Sequence, residues 1–390
     1  MEYKPLPRKG FPVEEFQARL IFAQKIMHHY QLDAIFVTNE ANFRYFTGFD
    51  SQFWESPTRP WFLIVPLEGE PVAVIPEIGI GGMAKTWITN IFTWTAPNPQ
   101  DDGISLLIST VKKFSRRYGK IGAELGREMS LRMPLLDFLS FKKKLDLQIV
   151  NATPAIWEMR MIKTEVEIER IKHICSIVSQ SYENLPNKIS VGETEREVAR
   201  KLRIEINKCG ADAVPFLPAI SGSGGVSQIV CGPSDKILEK GDVLFIDTGS
   251  TYDGYFCDFD RNFAIGAPSD EVKRIHEALW LATEAGIASA VPGAKTDDVW
   301  LAMNKIIEEA GSVGNNVGRL GHGVGLQLTE PPSHCPGDNT VIKENMVLTI
   351  EPGIEYKPGK MIVHEENIVI TSDGPVLLTK RAPREMPIIR

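Results

Sequence analysis

The stretch 242–263, DVLFIDTGSTYDGYFCDFDRNF, constrains this chain more than any other, because it sets carboxylates where a strand would otherwise be apolar. Two β-rich runs flank Asp253-Gly254, a strong two-residue hairpin signal. With those residues as the turn, pairing places Asp258 opposite Gly249 and Asp260 opposite Asp247, and the two-residue period puts all four on one face. Asp247 and Asp258 then lie diagonally across the ladder. Like charges that close repel unless a cation sits between them, and a glycine facing Asp258 leaves a volume of ionic size. A metal cradle satisfies this pattern, and so does a solvated hairpin face whose acids serve solubility. The rest of the chain must separate the two.

At 390 residues the chain is long enough for two domains with substantial cores, or one large one. A net charge of −7 argues against a nucleic-acid partner, which needs a broad basic face, and points to a small cationic-to-zwitterionic ligand. No run approaches the ~20 apolar residues of a membrane span, and MEYKPLPRKGFPVEEF lacks the apolar core of a signal peptide. A cytoplasmic protein with no membrane partner is therefore expected. The five cysteines are widely spaced and form no CxxC pair, which implies reduced thiols rather than a disulfide frame or thiolate zinc. Cys257 adjoins Asp258 but points to the other face of its strand, where it packs.

Strands and helices alternate through the first 150 residues. A helix over 13–30 precedes the strand LDAIFVT, a hairpin turns around Glu68-Gly69-Glu70, and the helix 101–114 leads into the strand KIGAEL. This is an α/β domain, placed at 1–155. Its loop 49–61, FDSQFWESPTRPW, sets Trp54 and Arg59 among other aromatics, an arrangement that recognises a carboxylate or cation in some proteins and merely packs in others. The pattern changes around 151–164, and residues 156–390 form the second domain. There a helix starts at Glu165 behind a Thr164 cap, another runs over 193–208, and two more span 269–290 and 296–310. The order helix, helix, strands thus recurs, which suggests a two-fold internal repeat.

Three further polar sites lie in the second domain. GRLGHGVGLQLTEPP holds His322 between glycines, where backbone can approach a ligand closely. VLTIEPG ends an apolar strand on Glu351, an awkward position for an unpaired acid. VHEENIVI, read as one strand, sends Glu365 and Glu366 to opposite faces, so one must face inward. Asp247, Asp258, His322, Glu351 and one of Glu365/Glu366 then make four carboxylates and an imidazole. Such a set suits Mn, Fe, Co or Zn, and four negative charges balance two divalent ions.

In order, these residues resemble the pita-bread metallohydrolases, the family of methionine aminopeptidase, Xaa-Pro aminopeptidase, prolidase and creatinase. The matching runs are IDTGSTYDGYFCDFDR, GHGVG, LTIEPG and HEENIVIT, while LDAIFVTNEANFRYFTGF looks like the creatinase/prolidase N-terminal domain. The resemblance implies an α+β pita-bread catalytic domain behind a smaller α/β one. It implies Asp247 as bidentate ligand of one metal, His322 as ligand of the other, Asp258 and Glu365 as bridges, and Glu351 as a ligand that also shuttles protons. Glu365 rather than Glu366 falls at the ligand position. A hydroxide on two divalent ions, manganese among the candidates, would attack a carbonyl of a small carboxylate-bearing or dipeptide-like substrate. In a homodimer of this family an N-terminal Trp or Arg often reaches the partner's site, a role open to Trp54 and Arg59.

The chain also departs from the peptidase pattern. Thr329 stands where a substrate-contacting His is usual, residues 220–235 hold no His, and His364 follows Val363 where an Arg is common two residues before the last ligand. Asp260 replaces a common Thr. Thr329 and His364 are thereby candidate substrate contacts, and Asp260 or Glu330 a candidate extra base. A small-molecule enzyme, a creatinase-like C–N hydrolase or a dimethylsulfoniopropionate lyase, is the alternative to Xaa-Pro-dipeptidase-like hydrolysis. A non-catalytic binding protein on the same fold is the third reading, disfavoured by the intact ligand set.

Overall fold

The computed structural model describes residues 8–56, 60–314 and 318–390. The described chain separates into two compact units, Lys9–Arg160 and Met161–Arg390, with Arg8 grouped with the second. The change of unit falls at 160/161, at the end of the helix Thr153–Arg160, rather than at 155/156.

In the first unit β1 (Ala34–Val37), β2 (Phe62–Pro66), β3 (Val72–Pro76), β4 (Asn90–Trp94), β5 (Lys120–Ala123) and β6 (Gln148–Asn151) make a mixed sheet in the order β4-β3-β2-β1-β5-β6. Every residue of β1, β2 and β3 is buried, as expected of strands covered on both faces. Phe36 anchors the core, 5.7 Å from the Phe62 ring and 5.0 Å from Phe141 on the helix Leu135–Lys144. Beyond β5 the buried Glu124 accepts the backbone N–H of Thr38 at 2.8 Å and of Asn39 at 2.9 Å, and the Asn42 amide at 2.6 Å. It thus fixes the polar connection that opens the helix Glu40–Thr47.

In the second unit β7 (Ala213–Phe216), β8 (Ala219–Ser223), β9 (Asp242–Tyr252) and β10 (Tyr255–Ile265) form the first sheet, joined at its edge by β18 (Ile388–Ile389). The hairpin β9-β10 has the register read from sequence, Asp258 facing Gly249 and Asp260 facing Asp247. Its turn needs positive φ at both central residues, and Asp253 (φ 50°) with Gly254 (φ 78°) supplies it. The second sheet comprises β11 (His322–Gly323), β12 (Glu330–Ser333), β13 (Val347–Ile350), β16 (Glu366–Thr371) and β17 (Gly374–Leu377) in the order β12-β11-β13-β16-β17, while β14 (Gly353–Lys357) pairs with β15 (Lys360–Val363).

A helix pair precedes each set of strands: Glu165–Asn184 with Glu195–Lys208, then Asp270–Ser289 with Thr296–Glu309. The helix at Glu165 starts as expected, with Glu167 accepting the Thr164 backbone N–H at 2.9 Å. The run 363–370 departs from the single strand expected of it. It breaks between β15 and β16, leaving His364 and Glu365 in the connection. Among the described residues no helix is long and apolar enough to cross a membrane.

Candidate metal centre

The ligand atoms of Asp258, His322 and Glu365 all lie within 4.8 Å of one another, and each of the three residues is buried. Asp258 comes from β10, His322 from β11, and Glu365 from the break before β16. His322 Nε2 stands 3.4 Å from Asp258 Oδ2 and 3.3 Å from Glu351 Oε1, so four of the five expected ligands meet around one imidazole. Asp247 joins them through the hairpin register, opposite Asp260, and its charge acts on Asp258.

The imidazole is held in one tautomer. Its Nδ1 lies 2.8 Å from Gly323 O, a contact that needs the proton on Nδ1 and leaves Nε2 as a lone-pair donor to the cluster. The backbone N–H of His322 donates to Thr349 Oγ1 at 2.9 Å, and that hydroxyl donates to Glu351 Oε1 at 3.2 Å. Gly321 makes this approach possible: at φ 145° a Cβ there would come within 2.3 Å of Thr349 O and of the His334 ring.

Electrostatically the cluster calls for cations. Burial pushes the Asp247 and Glu351 carboxyls up to about 7. Asp258, Asp260 and Glu365 are driven well above the ordinary carboxylate range, first by burial and then by the neighbouring acids. His322 is pushed down to about 3 by burial and then by Arg319, which keeps it neutral and able to ligate. Asp247 Oδ1, Asp260 Oδ2 and Glu365 Oε1 are buried without any hydrogen-bond partner among the described residues. Orphaned carboxylate oxygens beside a neutral imidazole are the donor set of a hard divalent ion, and they fit one.

Several expectations need correction. Gly249 does not leave an ion-sized gap opposite Asp258: a Cβ there would meet Leu328 Cδ1 at 2.2 Å, so the glycine admits a leucine from the loop after β11. Both Glu365 and Glu366 are buried, because the reverse face of the break is packed rather than solvated. Glu366 accepts Arg261 at 3.0 Å, Arg381 at 3.1 Å and the Ala382 N–H at 2.8 Å. His364 belongs to that reverse side; Nδ1 meets Thr283 Oγ1 at 3.1 Å and Nε2 accepts Arg381 Nη1 at 3.0 Å. Glu330, expected as a spare base, is buried and paired with Lys163 at 3.1 Å, which commits its charge to an internal ion pair.

Trp54 is 8% exposed, packed against Phe43, Trp61 and Arg132 of its own unit. Arg59 lies outside the described residues. Thr329 is half-buried beside Glu330. Asp260 is 1% exposed on the ligand face, and its Oδ1 accepts the Glu365 backbone N–H at 2.9 Å. Sequence reasoning missed Asn367 and Thr349, which hold Asp258 and His322; the only signal for Asn367 was a lone amide in an apolar run.

A buried cluster of carboxylates and one imidazole, seated where two helix-pair-and-strand repeats meet, defines a metallohydrolase of the pita-bread fold. The chain belongs to metallopeptidase family M24, whose model matches residues 169–372, and the creatinase/prolidase N-terminal domain model matches residues 19–162. It is 31% identical to the Xaa-Pro dipeptidase of Pyrococcus furiosus over 91% of this chain and 96% of that one. The prolidase of Thermococcus sibiricus superposes with a TM-score of 0.86 at 27% identity, covering 97% of this chain and all of the other. Dipeptidase PepE of Mycobacterium ulcerans gives 0.85 at 26% identity, covering 97% and 99%. The expected family, fold and enzyme class are thereby established, and members of this family act through divalent metals.

Proposed function

We propose that this metallohydrolase cleaves a small, carboxylate-bearing, dipeptide-like substrate with two divalent ions held by Asp247, Asp258, His322, Glu351 and Glu365. The convergence of Asp258, His322 and Glu365 carries the reading, with Glu351 on the same imidazole. The names Xaa-Pro dipeptidase and prolidase among its relatives support the substrate class. Bound divalent ions would supply an acidified water and a counter-charge for the carbonyl oxygen as it turns anionic.

The chain's own residues supply the rest. Glu351 is the proton carrier: its side chain is 22% exposed against 7% for Asp258 and 6% for His322, so the cluster opens on its side. The Thr349 hydroxyl fixes Glu351 Oε1, which leaves Oε2 to take a proton from the attacking water and return it to the leaving amine. The Arg319 guanidinium donates to Ser333 Oγ at 3.0 Å, and its charge acts on Asp258, Glu351 and His322.

The test is hydrolysis of an Xaa-Pro dipeptide panel by protein loaded with Mn²⁺ or Co²⁺, with loss of both metal and turnover in His322→Ala. A metal-loaded enzyme inert on every dipeptide would overturn the substrate class. A small-molecule substrate is the second reading, favoured by the additional buried acid Asp260 and by Thr329 in place of the peptidase His. Turnover of creatine or dimethylsulfoniopropionate in the same assay would select it.

A further inference from the structure

Asp260 lies on the ligand face of β10, two residues beyond Asp258 and directly opposite Asp247. It is 1% exposed, and its two oxygens have different environments. Oδ1 accepts the backbone N–H of Glu365 at 2.9 Å, a contact spanning 105 residues of sequence that ties the hairpin to the connection carrying the last ligand. Oδ2 is buried with no hydrogen-bond partner among the described residues, as are Asp247 Oδ1 and Glu365 Oε1. Arg261, next in sequence, offsets its charge only at a distance: that guanidinium turns to the reverse side, where it binds Glu366 and the Asp260 and Glu365 carbonyls. A fold that needed only a prop for the Glu365 N–H could use a neutral acceptor and avoid an orphaned carboxylate.

We propose that Asp260 is a fifth acidic group of the metal centre, a positioning residue that fixes Glu365 through its backbone and adds a negative charge that tightens the hold on cations. This rests on the metal-centre reading above. Four ligand carboxylates balance two divalent ions; Asp260 carries the site one charge beyond balance. The charge lies in a buried site, where screening by water and salt is weak. Asp260 thereby raises affinity for cations without itself having to ligate.

Asp260→Asn separates the two roles, since Asn keeps an Oδ1 acceptor for the Glu365 N–H and removes only the charge. Mn²⁺ binding to metal-free protein is followed by titration calorimetry, together with the electron paramagnetic resonance of bound Mn²⁺ and the Tm of the metal-free form. The expected result is Mn²⁺ affinity weaker by roughly tenfold or more, with metal-free Tm at or above that of the parent. Asp260→Ala, which also loses the acceptor, should lower both affinity and Tm. Parent-like affinity in Asp260→Asn would overturn the charge role while leaving the metal centre standing, and a fall in both quantities would reduce Asp260 to a structural prop. Absence of Mn²⁺, Co²⁺ and Zn²⁺ binding by the parent would remove the metal centre and this inference with it.

Discussion

Asn367 grips Asp258 by both of its backbone groups: the amide oxygen accepts the Asp258 N–H at 3.0 Å, and the amide nitrogen donates to the Asp258 carbonyl. One buried side chain thus sets the plane of a ligand's backbone on a strand 109 residues away. The Cys175 thiol donates to the same amide oxygen at 3.3 Å, which fixes the orientation of Asn367 in turn.

Asn367→Leu should therefore leave the N–H and C=O of Asp258 buried and unpaired. At about 1–3 kcal/mol for each orphaned group, a loss of roughly 2–6 kcal/mol in denaturant unfolding is expected, accompanied by weaker metal binding. Parent-like stability would show that the strand keeps its place without this clamp.

The adjacent glutamates should respond in opposite ways. Glu365→Gln removes a carboxylate with an orphaned oxygen, so metal-free stability should hold or rise while metal affinity falls. Glu366→Ala strands Arg261 and Arg381 without their shared anion, and breaking such a buried pair costs about 3–5 kcal/mol. Thermal unfolding with and without Mn²⁺ checks both. If Glu366→Ala were the milder of the two in metal-free protein, the division of roles between them would be wrong.

Glu351→Gln should keep some metal and lose turnover, by about 10²–10⁴ if proton transfer is its main task. Metal analysis and steady-state kinetics on one preparation decide this, and substantial residual kcat would remove Glu351 as the proton carrier.

Metal-free protein should lose stability as pH rises above about 6.5, near the ordinary histidine value. Asp247 and Glu351 are pushed up to about 7 in the fold, and burial and the neighbouring acids raise Asp258, Asp260 and Glu365 well above their ordinary range as well. In that range the native state binds more protons than the unfolded chain, so stability falls with pH until the last carboxyl is ionised. The buried histidines His276, His322 and His334 are depressed to about 4, 3 and 4, and His364 is also lowered. They act the other way, but only below their unfolded value. Saturating Mn²⁺ should flatten the dependence. A metal-free Tm that rises between about pH 6.5 and 8 would contradict the cluster's electrostatics.

Gly321→Ala tests the support of His322. The added methyl meets Thr349 O and the His334 ring at 2.3 Å each, so the backbone must move and displace His322 from Glu351. Lower Tm together with lost metal is expected; unchanged metal binding would show that the β11 backbone is more adaptable than its packing indicates.

The hairpin was legible because its information is local. Asp253-Gly254 fixes the turn, the turn fixes the register, and the register places Asp247, Asp258 and Asp260 on one face. Thr164 and Glu167 announced a helix start in the same way. What stayed hidden depends on residues far apart in sequence. Leu328 fills the space at Gly249, and Lys163 reaches Glu330 across 167 positions. Glu366 finds Arg261 and Arg381 behind the ligand face, where periodicity distinguishes sides but not what covers them. Trp54 illustrates the same limit, because an aromatic loop reads alike whether it projects or packs.

The repeat of helix pair and strands has a consequence for when the centre is made during synthesis. The first repeat carries Asp247 and Asp258, whereas His322, Glu351 and Glu365 come from the second. A ribosome that has finished the hairpin has produced the acids Asp247, Asp258 and Asp260 but no imidazole. The imidazole arrives more than fifty residues later, and Glu365 is made after every other member of the cluster. Selective metal loading is thus deferred until the second repeat has docked on the first, and tight metal retention reports that both repeats have folded together.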